Sequence, residues 1–169
     1  MAKIAVLAEN LYDDRELWYP TIRLKEAGHE VHIIGSGTAS EFHSKFGMPV
    51  KVDRNVQDVS HEDYDGVIIP GGFSPDYMRR VPEMVEFVKF IGDSGEKPTA
   101  AICHGPWMLI SAKLIFGKKV TSFHSIRDDI ENAGATWVDE AVVVDGNIIT
   151  SRNPNDLPDF CKEILHKLK

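Results

Sequence analysis

Apolar residues come in short unbroken runs along this chain: Ile4-Ala5-Val6-Leu7-Ala8, Val31-His32-Ile33-Ile34, Val67-Ile68-Ile69 and Thr99-Ala100-Ala101-Ile102. Continuity rather than alternation marks strands covered on both faces, the condition of a parallel sheet. Between the runs the apolar spacing becomes helical. Leu17, Pro20, Thr21 and Leu24 predict a helix stopped by Gly28, with Pro20 predicting a kink or a late start. Met84, Phe87, Val88 and Ile91 predict a helix after Pro82 that ends near Gly92, and Leu157, Phe160, Cys161, Ile164, Leu165 and Leu168 predict a terminal one. Val142-Val143-Val144 and Ile148-Ile149-Thr150 flank Asp145-Gly146-Asn147, a strong hairpin signal. A second hairpin is predicted around Phe46-Gly47-Met48, before Val50-Lys51-Val52. Strand–helix alternation with such additions predicts a three-layer α/β sandwich on a mixed, mostly parallel sheet.

Composition narrows the partners. The 169 residues fit one domain spanning 1–169, with 43% hydrophobic and 27% charged residues. A net charge of −7 gives no general attraction to phosphate backbones, which argues against nucleic acid. The two cysteines, Cys103 and Cys161, are far apart, which argues for a reducing compartment rather than a disulfide framework. No apolar run approaches the roughly 20 residues of a membrane span, and the first residues are too short for a signal-peptide core. Together these point to a cytoplasmic protein. His29, His32 and His43 fall on different predicted elements and no Cys/His cluster has ligand spacing, so neither a metal nor a cofactor is expected.

The most informative window is Ala100-Ala101-Ile102-Cys103-His104-Gly105-Pro106. A buried strand ends at Ile102 and a helix is predicted from Pro106, so Cys103 lies on the join. A nucleophile on so sharp a turn needs small residues two before and two after it; Ala101 and Gly105 stand there, the steric logic of G-x-S-x-G with sulfur. The following helix N-terminus is expected to favour the thiolate. The His104 N–H is one candidate oxyanion donor. The alternative is a small buried cysteine in a βα turn. Ile69-Pro70-Gly71-Gly72 ends another predicted strand at the same sheet edge, where doubly wound folds bind ligands, and Gly72 could supply a second donor; an ordinary Gly-Gly turn is the alternative. Glu9 to Glu16 brings acids to that edge too, although Asp13 or Asp14 would cap a helix there in any case. Cys161 fits the apolar stripe of its helix and reads as core. His166, on a lysine-rich helix end, and His61-Glu62-Asp63 read as solvated.

These motifs resemble, in order and over nearly the whole chain, those of the PfpI family of intracellular cysteine peptidases, within the superfamily of the human parkinsonism-associated deglycase. The similarity runs through Glu16, Lys25-Glu26-Ala27-Gly28-His29-Glu30-Val31, Ile69-Pro70-Gly71-Gly72 with Ser74-Pro75-Asp76, Ala101 to Pro106, Asn132-Ala133-Gly134-Ala135 and Val143-Val144-Asp145-Gly146 with Thr150-Ser151-Arg152. The resemblance implies a flavodoxin-like fold of the class I glutamine amidotransferase type with a nucleophile elbow. It implies Cys103 as nucleophile, His104 as base or orienting group, Glu16 hydrogen-bonded to the sulfur, and the Gly72 and His104 N–H groups as the oxyanion hole, with Gly71, Phe123 and His124 beside it. It also implies a homodimer or hexamer in which Asp76 of a neighbouring subunit completes a Cys-His-acid triad. Aspartate is one methylene shorter than the glutamate of the archetypal peptidase, and Phe123-His124 replaces its Tyr-Pro. On sequence alone Asp76 could equally cap a short helix, and adjacent Cys103 and His104 side chains are expected to point apart. Three functions stay open: a cysteine hydrolase acting on small peptides; a deglycase or cofactor-independent glyoxalase acting on methylglyoxal or its adducts; and an oxidation-sensing stress protein or chaperone.

Overall fold

The computed structural model describes residues 1–169. Seven strands form the central sheet: β1 (Lys3–Ala8), β2 (Glu30–Gly35), β5 (Arg54–Asn55), β6 (Gly66–Ile69), β7 (Thr99–Ile102), β10 (Val142–Asp145) and β11 (Ile148–Ser151). Their spatial order is β10-β11-β7-β6-β1-β2-β5, and every pairing is parallel except the β10–β11 hairpin. Two further two-stranded pairs lie outside it, antiparallel β3 (Glu41–His43) with β4 (Pro49–Lys51) and parallel β8 (Lys119–Val120) with β9 (Thr136–Trp137). Both predicted hairpins are therefore present.

The continuous apolar runs are explained by helices on both faces. Ala5, Leu7, Val67, Ile69 and Ala101 face a core built with α3 (Pro82–Asp93), α4 (Pro106–Ser111) and α5 (Arg127–Asn132). Ile4, Val6, Ile68, Ala100 and Ile102 face the opposite core, made with α1 (Asp14–Glu26) and α6 (Leu157–Lys167). Cys161 is in that second core, as its spacing predicts. No helix is long and apolar enough to cross a membrane.

Helix α1 begins at Asp14 and continues through Pro20, which rules out the late start. Asp13 starts it by accepting from the Arg15 and Glu16 N–H groups. That cap, with the burial of Leu17, Pro20, Thr21 and Leu24, outweighs the one backbone bond a proline removes. The early start puts Glu16 on the buried face of the first turn, above the ends of β1 and β6.

The turn after β7 is a strand-to-helix elbow. Cys103 adopts φ +63°, a left-handed conformation costly for a side-chain-bearing residue. Its N–H donates to the Ser151 carbonyl, its own carbonyl accepts from the Phe123 N–H, and the Gly105 N–H donates to the Ile102 carbonyl. Gly105 is required by space: a Cβ there would lie 2.4 Å from the Ile69 carbonyl oxygen. Gly105→Ala should therefore lower stability by about 3 kcal/mol in denaturant unfolding, because the obstacle is backbone in the sheet. A loss under about 0.5 kcal/mol would show the elbow free to relax.

Candidate active site

The site lies beyond the carboxyl ends of β1, β6 and β7. Three loops meet there: residues 9–13 after β1, Pro70–Phe73 after β6, and the Cys103 elbow. Asp13 N–H donates to the Gly71 carbonyl and Phe73 N–H to the Leu11 carbonyl, so the first two loops fix each other. Gly72, at φ +74°, leaves no room for a side chain, since a Cβ would lie 2.4 Å from the Leu11 carbonyl oxygen. That close passage turns the Gly72 N–H towards the cysteine sulfur.

Cys103 is flanked by two titratable groups. On one side is Glu16, with no solvent-exposed surface. Its Oε2 accepts from the Gly71 N–H at 2.8 Å, its Oε1 has no partner, and its carboxyl hydrogen-bonds the thiol. Burial first, then the Asp13 carboxylate, push the Glu16 acid up to about 8, partly offset by the Gly71 N–H and the Lys45 ammonium. Glu16 is therefore a neutral carboxylic acid at neutral pH. On the other side is His104, whose Nδ1 lies 3.3 Å from the sulfur. The left-handed turn brings together two neighbouring side chains expected to diverge. Burial holds the imidazole below its ordinary value, helped by the charges of Lys45 and His124 and opposed by Asp129. The ring is thus neutral and can accept a proton.

Folding raises the Cys103 thiol rather than lowering it, which corrects the expectation of a favoured thiolate. Burial raises the Cys103 thiol, and a Glu16 carboxylate raises it further. The Gly72 and His104 N–H donors aimed at the sulfur offset part of that rise, and helix α4 begins at Pro106, as its sequence predicts. Below about 8 Glu16 is neutral, so its repulsion is absent and its O–H becomes a donor to sulfur. Native protein treated with iodoacetamide should be labelled at Cys103, which is 9% exposed on the elbow, and not at Cys161, which is 2% exposed on the apolar face of α6. Equal labelling by mass spectrometry would remove Cys103 from its assigned place.

Within the chain Asp76 makes no hydrogen bond to this couple. It lies on α2 (Ser74–Met78), paired with Arg80 at 2.6 Å. It does not cap the helix, since Phe73 occupies the N-cap without a side-chain bond. Phe123 stacks on the His104 ring at 5.2 Å and His124 tilts against Phe123 at 4.4 Å. A cleft of about 280 Å³ opens beside them, lined in part by Ser122, His124, Trp137, Asp139 and Arg152.

Several residues here escape sequence reasoning. Lys45, on the β3–β4 loop, reaches Asp13 at 2.7 Å and acts on both Glu16 and His104. Phe73 and Trp107 enclose the imidazole with Phe123, and Ser125 Oγ lies 3.3 Å from its Nε2. None carries a local signal, because each is brought in by a loop whose path is set by tertiary contacts.

The DJ-1/PfpI family model matches residues 2–167. The deglycase PfpI of Pyrococcus furiosus is 44% identical over 167 residues, covering 99% of both chains. A Bacillus subtilis protein, YraA, provisionally named a cysteine protease, is 44% identical and covers 99% of this chain and 98% of its own. Among solved structures, a two-domain protein of Anabaena variabilis with DJ-1/ThiJ/PfpI-like and ferritin-like domains superposes with a TM-score of 0.96 at 43% identity. It is matched over 99% of this chain, which spans 48% of that longer protein. With the elbow cysteine, the paired glycines and the parallel sheet all in one order, the chain belongs to the DJ-1/PfpI family.

Proposed function

We propose that the protein is a cysteine-dependent hydrolase that removes aldehyde adducts, a deglycase, with Cys103 as nucleophile, Glu16 as proton donor and His104 as proton acceptor. The observation that carries this reading is one sulfur held between a neutral carboxylic acid and a neutral imidazole. Oppositely tuned groups of this kind divide acid and base roles between them. In the first step His104 Nδ1 takes the thiol proton and the sulfur bonds to the adduct's carbonyl carbon. The carbonyl π pair moves to oxygen, which accepts the Glu16 proton while the Gly72 and His104 N–H groups stabilise the developing charge. Across the whole reaction a methylglyoxal hemiaminal consumes one water and yields the free amine and a hydroxy acid. No outside oxidant or reductant is needed.

A deglycase fits the proton inventory better than a peptidase. Rearranging an aldehyde adduct moves protons between neighbouring atoms, and the site offers one held proton and one free lone pair. The Pyrococcus relative's name supports the same reading. The Gly72 and His104 donors would serve an amide carbonyl as well, so the assay is comparative. Purified protein is given a methylglyoxal-treated peptide, methylglyoxal alone and an unfolded peptide, with Cys103→Ser as control. Amine recovery and hydroxy-acid release from the treated peptide, lost in Cys103→Ser, are expected. Cleavage of the unfolded peptide without adduct removal would replace this reading with the peptidase one.

A further inference from the structure

We propose that Ser125 is a positioning residue for His104, holding the ring through Nε2 so that Nδ1 faces the Cys103 sulfur. The inference rests on the reading of Cys103 as nucleophile and His104 as its base. That role demands a particular tautomer. Nδ1, 3.3 Å from the sulfur, must present a lone pair, so Nε2 must carry the ring proton. An N–H at Nε2 needs an acceptor, and Ser125 Oγ stands 3.3 Å away. The ring plane is fixed independently. It stacks on Phe123 at 5.2 Å and on Phe73 at 6.3 Å, and meets Trp107 edge-on at 5.0 Å.

Ser125 is tied to the elbow it serves. It sits in the 3₁₀ turn His124–Ile126, where the Ile126 N–H donates to the Phe123 carbonyl. The Phe123 N–H in turn donates to the Cys103 carbonyl at 2.9 Å, so nucleophile and positioning hydroxyl share one backbone frame. No carboxylate of this chain bonds the imidazole: Asp129 accepts from Trp107 Nε1 and Asp76 is paired with Arg80. The charged and titratable groups acting on the ring from outside are Lys45, Asp129 and His124. In the proton transfer, the Cys103 S–H bond breaks, its proton moves to Nδ1, and the resulting imidazolium keeps its Nε2–H on Ser125 Oγ.

The test compares wild type with Ser125→Ala, Ser125→Thr and Asp76→Ala. The ¹⁵N shifts of the His104 ring report its tautomer, and iodoacetamide alkylation across pH reports its coupling to Cys103. The Nε2–H tautomer is expected in wild type and in Ser125→Thr. Ser125→Ala should lose that preference and alkylate Cys103 about 3- to 10-fold more slowly near neutral pH, the effect of one hydrogen bond. An Nδ1–H tautomer in wild type would overturn the proposal, because Ser125 would then be donating and Nδ1 could not act as base. Ser125→Ala identical to wild type in both readouts would overturn it as well. So would a change in Asp76→Ala with none in Ser125→Ala, which would give the orienting role to the acid. Neither readout involves a substrate, so a protein that fails to remove adducts sinks the deglycase reading without touching this result.

Discussion

Raising the pH from about 4 to about 9 should cost the wild-type protein on the order of 5 kcal/mol that a Glu16→Gln variant keeps. The reason is the upward displacement of the Glu16 acid from its ordinary 4.5 to about 8 in the folded chain. A group whose folded value is raised binds its proton more tightly folded than unfolded. Its contribution is fully present below the unfolded value and is lost as pH rises through the folded one, here between about 4.5 and about 8. Burial is the leading cause and Glu16 has no exposed surface, so solvent screening does not discount the effect. Glutamine keeps the shape: its oxygen can accept from the Gly71 N–H and its amide can donate to sulfur. His104, displaced downward, has the opposite dependence on the acid side, but it is common to both proteins and drops out of the difference. Urea unfolding of the two proteins across this range measures the effect. Parallel stability curves would mean that Glu16 is ionised in the fold and that the acid assigned to the site is absent.

The same substitution should separate chemistry from nucleophilicity. In Glu16→Gln turnover should fall about 10²- to 10⁴-fold, the range for loss of a general acid, while Cys103 stays selectively alkylated. An amide can hydrogen-bond the sulfur but cannot deliver a proton to the forming alkoxide. Cys103→Ser should lose both turnover and labelling, and Glu16→Leu should lose turnover together with the hydrogen bond to sulfur. Turnover within about twofold of wild type in Glu16→Gln would place the proton donor elsewhere.

Much of the scaffold was legible in the residues because it follows from local rules. Four unbroken apolar runs became parallel strands, since helices on both sides of a sheet leave no polar face. Asp145-Gly146 closed a hairpin. The elbow was legible through Ala101 and Gly105, because a sulfur on a sharp turn excludes larger neighbours, and the Gly105 contact with the Ile69 carbonyl shows that exclusion directly. Pro20 did not delay the helix start, because the Asp13 cap and the buried face of α1 outweigh one missing hydrogen bond.

The sequence by itself determined the sheet, the cysteine elbow and the loop glycines beside it, all of which depend on residues near one another in the chain. Only the tertiary structure decided the protonation of the site and the company of its base. Glu16 is a neutral acid because folding buries it against Gly71 and Cys103 and sets Asp13 nearby. His104 touches the sulfur because Cys103 takes a left-handed turn, and meets Ser125 because the Phe123 N–H closes on the Cys103 carbonyl. Asp76 turns to Arg80 because the two stand one helical turn apart. Desolvation and contacts between distant segments set these outcomes, and neither exists until the chain has folded.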